Sequence, residues 1–324
     1  MEYDRGGVCG EVDEAIYRDV GGGEELMSKK KSKKAISTKK QDISISEVME
    51  IVIKRLLGQQ LSKEDSETVG RYYVLQVPSK MYRYRPYRPD DNREIEAIIN
   101  NNIWFSALSE FNDPFESYYT LDVKSLISLD TDIKNIMGSL SLIQQQTLIE
   151  EVLEDIDYDK LHREIVSNYT VACFSEKNDS LLMWGHYSSG HRGICIEYDT
   201  MDLAYNKGKV IIPVNYSNNI PRIKNKDNAS IMRFILQLLR TKCTDWKYEC
   251  EWRCIQDKGA CGKAWEAKGA LLDSSLPTAI YVGCKAADEF IDTLVKTCTD
   301  TLKIPLYKMM QSKREYKLIP ERIV

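Results

Sequence analysis

Lys80-Met81-Tyr82-Arg83-Tyr84-Arg85-Pro86 is the stretch where the chain turns from helix to sheet: aromatic and long side chains alternate, and Pro86 ends the run. Alternation with a period of two marks a half-buried strand, and a proline cannot donate to a central ladder. On such a strand Arg83 and Arg85 share one face and Tyr82 and Tyr84 the other. Arg93 to Asn101 then carries Ile95, Ile98 and Ile99 at helical spacing, and Ile103-Trp104-Phe105-Ser106 reads as a second strand. Strand, helix, strand opens an α+β domain. We expect a central mixed or antiparallel, split β-sheet with flanking helices.

Outward from this point the pattern continues. Four strands are predicted in succession, Tyr169 to Phe174, Gly193 to Tyr198, Val210 to Tyr216 and Glu251 to Gln256, with a helix over Ile231 to Leu239. Strand, helix, strand follows again over Ala279 to Val282, Ala287 to Lys296 and Ile304 to Met309, with a last strand at Tyr316 to Ile319. Residues 123–168 are helix-rich, with apolar positions at Leu126, Ile127, Ile133, Ile136, Met137, Leu142, Ile149, Val152, Leu153 and Ile156, and read as a helical insertion. The α+β domain is therefore expected over 79–324.

Upstream, Ile45, Val48, Met49, Ile51, Val52, Leu56 and Leu57 recur at helical intervals behind Ser44-x-x-Glu47, a capping-box signature, and Lys63 to Val74 suggests a second helix. Two helices alone have little core, so residues 43–78 form a helical extension that packs on the main domain or meets a protein partner. Residues 1–42 lack apolar periodicity: an acidic, glycine-bearing segment precedes MSKKKSKKAISTKK, and both read as a poorly ordered tail. Met27 before the lysine run has the look of a translation start, which intact mass of the natively expressed protein would check.

Composition excludes several classes. At 324 residues, 43% hydrophobic and 29% charged, the chain can bury a sizeable core, and a net charge of −4 provides no overall basic field for nucleic acid. No run approaches the roughly 20 apolar residues of a membrane helix, and no signal-peptide core is present, so a cytoplasmic protein with no membrane partner is expected. Nine cysteines, an odd count without export signals, should be reduced thiols. Cys250, Cys254 and Cys261 have neither C-x-x-C spacing nor a nearby histidine, and no metal is expected. Phosphate-loop, dinucleotide-fingerprint, zincin and nucleophile-elbow motifs are all missing from the sequence.

Three polar constellations remain. Ser109-Glu110-Phe111-Asn112-Asp113-Pro114-Phe115-Glu116 sets Asn112 and Asp113 in a turn between two phenylalanines, and an Asx turn is its ordinary role. Cys173-Phe174-Ser175-Glu176 leads to Met183-Trp184-Gly185-His186-Tyr187 and then His191-Arg192, placing two of the three histidines beside Trp184, Tyr187 and Arg192. Such a group can stack a planar ring and hydrogen-bond a ribose or phosphate. In Tyr248-Glu249-Cys250-Glu251-Trp252-Arg253, a strand would put Glu249, Glu251 and Arg253 on one face. Two carboxylates side by side raise each other's proton affinity unless a cation or a task justifies them, and Arg253 is the local partner.

Taken in order, YRYRPY, IWFSALSEFNDPFE, CFSE, LLMWGHY, HRGICIEY and KYECEWR resemble a bacterial family described as a domain of unknown function, from about Met81 to the C-terminus. The same order of a basic first strand, a strand ending in Phe-Ser and a final E-x-E is similar to a divergent ADP-ribosyltransferase. That resemblance implies NAD as substrate, held by Arg83 or Arg85 on the first strand and shaped by Ser175. It implies Glu251 as the carboxylate at the nicotinamide ribose. Glu249 and His186 join Glu251 as candidate catalytic residues, while Asn112, Asp113, Trp184, Tyr187, His191 and Arg192 complete a candidate cofactor-binding wall.

The expected activity is therefore an NAD-consuming transferase or glycohydrolase, a toxin or antiphage effector, acting on a protein or nucleic-acid acceptor. Two other readings stay open: a non-catalytic nucleotide-sensing or protein-binding module using the same pocket, and a magnesium-dependent hydrolase or nuclease if Asp113, Glu116, Glu249 and Glu251 converge.

Overall fold

Two helices come first among the described residues. Ile45–Leu56 is capped by Ser44, whose side chain accepts from Ser46 N at 3.2 Å. The reciprocal capping box forms one helix later. Asp65 N donates to Ser62 Oγ at 3.0 Å and Ser62 N to Asp65 Oδ2 at 2.9 Å, starting the helix Lys63–Leu75. Asp65 also accepts from Lys54 Nζ at 2.8 Å, joining the two helices. Their apolar faces (Val48, Ile51, Val69 and Tyr72) are buried in one cluster with Phe174, Ile196 and Trp252 of the sheet. Each such side chain contributes roughly 1.5–3 kcal/mol on burial.

The computed structural model describes residues 43–89, 91–121, 135, 138–154, 158–205, 209–223 and 228–324. The tail over 1–42, including Met27, and the apolar positions Leu126, Ile127, Ile133, Ile136, Met137 and Ile156 lie outside the described residues. Within the segment read as a helical insertion, helices Leu142–Glu154 and Tyr158–Val166 are described.

The strands in chain order are β1 Lys80–Arg85, β2 Asn102–Ala107, β3 Thr120–Leu121, β4 Tyr169–Ser175, β5 Ile194–Asp199, β6 Ile211–Pro213, β7 Asn215–Tyr216, β8 Arg222–Ile223, β9 Thr241–Lys242, β10 Glu251–Asp257, β11 Trp265–Glu266, β12 Gly269–Asp273, β13 Ala279–Val282, β14 Leu306–Gln311 and β15 Leu318–Arg322. Among the described residues eleven make one sheet, β11-β12-β2-β4-β1-β5-β13-β14-β15, with β10 on β4 and β6 on β10. Its pairings are antiparallel except β13 with β14. The α+β class with a mixed, mainly antiparallel sheet and flanking helices is thus the observed architecture.

Two local expectations change. The run Val210 to Tyr216 is two strands: β6 pairs with β10, and β7 pairs parallel with β9. Pro213 sits in β6, an edge strand, where a missing N–H costs no ladder bond. Strand β12, Gly269–Asp273, had no signal in the sequence because its short run has no alternation and begins at a glycine.

One strand organises the rest. Along one edge β4 pairs with β10 over its whole length, from Tyr169 with Asp257 to Ser175 with Glu251. Its other edge is shared: Thr170 and Val171 pair with β2, and Ser175 pairs with Tyr82 of β1. Between these contacts β1 and β2 part, and the sheet forks. Arg83 spans the gap, its Nη2 donating to the Trp104 carbonyl of β2.

Candidate functional site

A cavity of about 380 Å³ lies at the fork, within the size range of small-molecule sites. Its walls bring together Arg83 and Arg85 from β1, Ser106 from β2, Cys173 and Ser175 from β4, Asn112 from the turn after β2, His186 and Tyr187 from the helix Leu181–Tyr187, and Glu249 and Glu251. Residues far apart in sequence meet because β4 carries β10 on one edge and touches β1 on the other.

One wall is cationic and incompletely paired. Arg83 is buried, with its guanidinium carbon 5.8 Å from the Phe174 ring centroid, and its Nη1 has no hydrogen-bond partner among the described residues. Burial, reinforced by neighbouring Arg85, pushes its guanidinium down to about 10, still charged at neutral pH. Arg85 pairs with Glu94 through Nη2, but its buried Nε is likewise unpartnered among the described residues. Buried donors without acceptors cost free energy, a cost that an acceptor reaching them would remove.

The opposite wall is an ion network. Glu251 accepts from Arg253 at 2.9 and 3.2 Å and from Lys242 at 3.2 Å. Lys242 Nζ also donates to Glu249 Oε2, and Tyr187 Oη donates to Glu249 Oε1 at 2.5 Å. Arg253 reaches back to Glu116 at 2.5 and 3.1 Å. Cationic and acidic side chains here are each at most 5% exposed, so the pairings are made in low dielectric.

The two glutamates titrate in opposite directions. Burial and the Glu251 charge raise the Glu249 carboxyl above the usual range, and Lys242 and Tyr187 offset only part of that. For Glu251 burial acts upward too, but Arg253 and Lys242 outweigh it and hold the carboxyl low. Glu251 is held in its ionised form, while Glu249 keeps a proton more readily than an ordinary carboxylate. Paired groups driven apart in this way divide acid–base labour. Lys242 is held charged by the same two glutamates, which overcome the desolvation that would lower it.

Local backbone explains why both glutamates reach Lys242. Glu249 does not lie on the strand, as alternation implied. It ends a 3₁₀ helix, Thr244–Glu249, and Cys250 is left-handed at φ 45° before β10 begins at Glu251. Ser175 Oγ donates to the Glu249 carbonyl at 2.6 Å, so that serine positions the turn from β4. Lys242 was missed in the sequence because β9 is two residues long, with no pattern that announces a buried lysine.

Other predicted residues lie elsewhere. Trp184 is fully buried, edge-on to Tyr84 at 5.3 Å, with its indole N–H donated to the Asn178 carbonyl at 2.7 Å; it is core and offers no face to a ligand in the cavity. Asp113 Oδ1 accepts from Phe115 N at 2.9 Å, an Asx turn. His191 borders a different cavity with Cys284 and Lys285, and Arg192 donates to the Ser189 carbonyl at 3.4 Å. His191 closes a left-handed turn, Ser189-Gly190-His191, and Arg192 follows it. Phe115 is 61% exposed, so Phe111, under the Arg253 guanidinium at 5.4 Å, is the phenylalanine that ties this turn inward.

Glu116, Glu249 and Glu251 are each bonded to a cation, and among the described residues no group of three or more His, Cys, Asp or Glu could hold a metal. Cys254 and Cys261 are buried free thiols. No helix among the described residues is long and apolar enough to cross a membrane.

Residues 183–254 match the family model described as protein of unknown function, DUF2971. The matched segment holds His186, Tyr187, Lys242, Glu249, Glu251 and Arg253, whereas Arg83, Arg85 and Glu116 precede it. No curated protein and no solved structure matches the chain.

Proposed function

We propose that the fork cavity binds NAD and breaks its nicotinamide–ribose bond, as in an ADP-ribosyltransferase or NAD glycohydrolase. The observation that supports this reading best is the pairing, in one cavity, of two arginines with unsatisfied buried nitrogens and a carboxylate pair with opposed proton affinities. The pyrophosphate lies against Arg83 and Arg85, and the nicotinamide ribose lies against Glu249 and Glu251. Tyr187 and His186 border the ring.

In the reaction the C1′–N bond breaks with its electron pair leaving on nicotinamide, which departs neutral. The oxocarbenium-like C1′ is stabilised by the fixed negative charge of Glu251. Water or an acceptor group donates a lone pair to C1′, and its proton passes to Glu249. In a cell this chemistry depletes NAD or modifies a macromolecule, as a toxin or antiphage effector would.

Incubation of the purified protein with NAD should release nicotinamide, and Glu249→Gln should lose most of that rate while still binding ADP-ribose. Failure of the wild-type protein to bind either NAD or ADP-ribose in calorimetry would end this reading. One observation favours a second: Glu251 is bonded through both oxygens to Arg253 and Lys242, an arrangement equally suited to a rigid nucleotide-sensing pocket. Tight ADP-ribose binding with no nicotinamide release in the presence of cell extract would decide for the sensor.

A further inference from the structure

A second cavity, about 610 Å³, opens beside the first and shares Arg85, Ser106 and Glu110 with it. We infer that it is the subsite for the adenosine end of a dinucleotide, with Trp104 as the stacking surface and the arginine pair at the junction holding the pyrophosphate. The inference rests on the NAD reading and extends it to residues that reading does not use.

The junction is defined by unsatisfied donors. Arg83, 6% exposed, offers Nη1, and Arg85, a wall of both cavities, offers Nε. A ligand bridging the two spaces must present its acceptors there, so its anionic group is central and its other parts extend both ways. A mononucleotide would leave one cavity empty.

The outer cavity is not built for a polyanion. Arg88 and Arg93 are near Asp91, Arg85 is bound to Glu94, and Lys268 Nζ is 3.4 Å from Glu110. Glu96 and Glu266 add further negative charge to its wall. A nucleic-acid strand would be repelled, whereas ribose hydroxyls can donate to carboxylates and adenine can bond the amides of Asn100 and Asn102.

Trp104 is placed for stacking by a glycine. A Cβ on Gly269 of β12 would meet Trp104 ring carbons at 2.9 Å and the Phe105 carbonyl at 2.1 Å, and Gly269 holds φ 151°. Only glycine lets the indole lie against that strand. Leu271, half-exposed on the same strand and paired with Trp104 in register, lines the same cavity.

The test is calorimetric binding of NAD, ADP-ribose and nicotinamide mononucleotide to the full chain and to Trp104→Ala and Leu271→Trp, the latter filling the cavity from an exposed position. Loss of an aromatic stack weakens binding about tenfold. We expect that loss for NAD and ADP-ribose in both variants, with the mononucleotide unchanged. Unchanged ADP-ribose affinity in Leu271→Trp overturns the subsite even where NAD is still cleaved. Equal losses for the mononucleotide overturn it too. Absence of binding by all three ligands to the wild type removes the NAD reading and the subsite together.

Discussion

Arg253 grips Glu251 through both carboxylate oxygens, Nε to Oε1 at 2.9 Å and Nη2 to Oε2 at 3.2 Å, with Arg253 fully buried. Its remaining nitrogen edge holds Glu116. One guanidinium thus compensates two carboxylates from segments 135 residues apart, counting from Glu116 to Glu251, so it joins the turn after β2 to β10. Arg253→Met leaves both carboxylates without it and should cost about 3–5 kcal/mol of stability. Arg253→Lys should recover only part, since an ammonium cannot make the paired contacts. Urea unfolding measures both, and a loss under about 1 kcal/mol in the Met variant would mean that the network is not stabilising.

Stability should depend on pH through Glu251. Its folded carboxyl lies below its ordinary value of 4.5, so its contribution is present above that pH and is lost as pH falls from there toward the lowered folded value. Glu249 has the opposite sign: its raised folded value favours the protonated form, a contribution lost as pH rises above 4.5. In urea midpoints taken between pH 3 and 7, Glu251→Gln should flatten the acid limb. An acid limb as steep as wild type would assign it to other carboxylates.

Tyr187→Phe removes the hydroxyl that donates to Glu249 Oε1, and with it the Asn112 contact to that hydroxyl at 3.3 Å. The tyrosine hydrogen bond lowers the Glu249 carboxyl, so its loss raises that carboxyl further. On the NAD reading the rate should fall about tenfold or more in kcat, with KM little changed, and the rising limb of the pH–rate profile should move to higher pH. A profile that stays in place would detach Tyr187 from the proton transfer.

Trp184 and His191 should separate under substitution. Trp184→Ala empties a fully buried site and should cost about 3–5 kcal/mol. His191→Ala, whose residue borders a separate cavity, should leave ADP-ribose affinity within about twofold. Thermal melts and calorimetry check the pair. A large affinity loss in His191→Ala at unchanged stability would bring that cavity into the site.

Much of this was legible from residue types and their periods. Alternation in β1, helical spacing over Ile45 to Leu57 and the turn residues near Asn112 follow from local backbone preferences, which act within a few residues. Arg83, Arg85, Ser175, His186, Tyr187, Glu249 and Glu251 stood out because charged and polar types interrupt otherwise apolar segments.

What the chain alone could not reveal is long-range and steric. That Trp184 is core, that Lys242 lies between two glutamates, and that Arg253 serves Glu116 as well as Glu251 depend on which strands pair and where the sheet forks. By itself the sequence determined the elements, the α+β class and the chemistry on offer, because these arise from local propensity and composition. Only the tertiary structure decided which carboxylate stays charged and which arginine nitrogens remain unpaired, because desolvation and charge pairing depend on neighbours brought together by the fold.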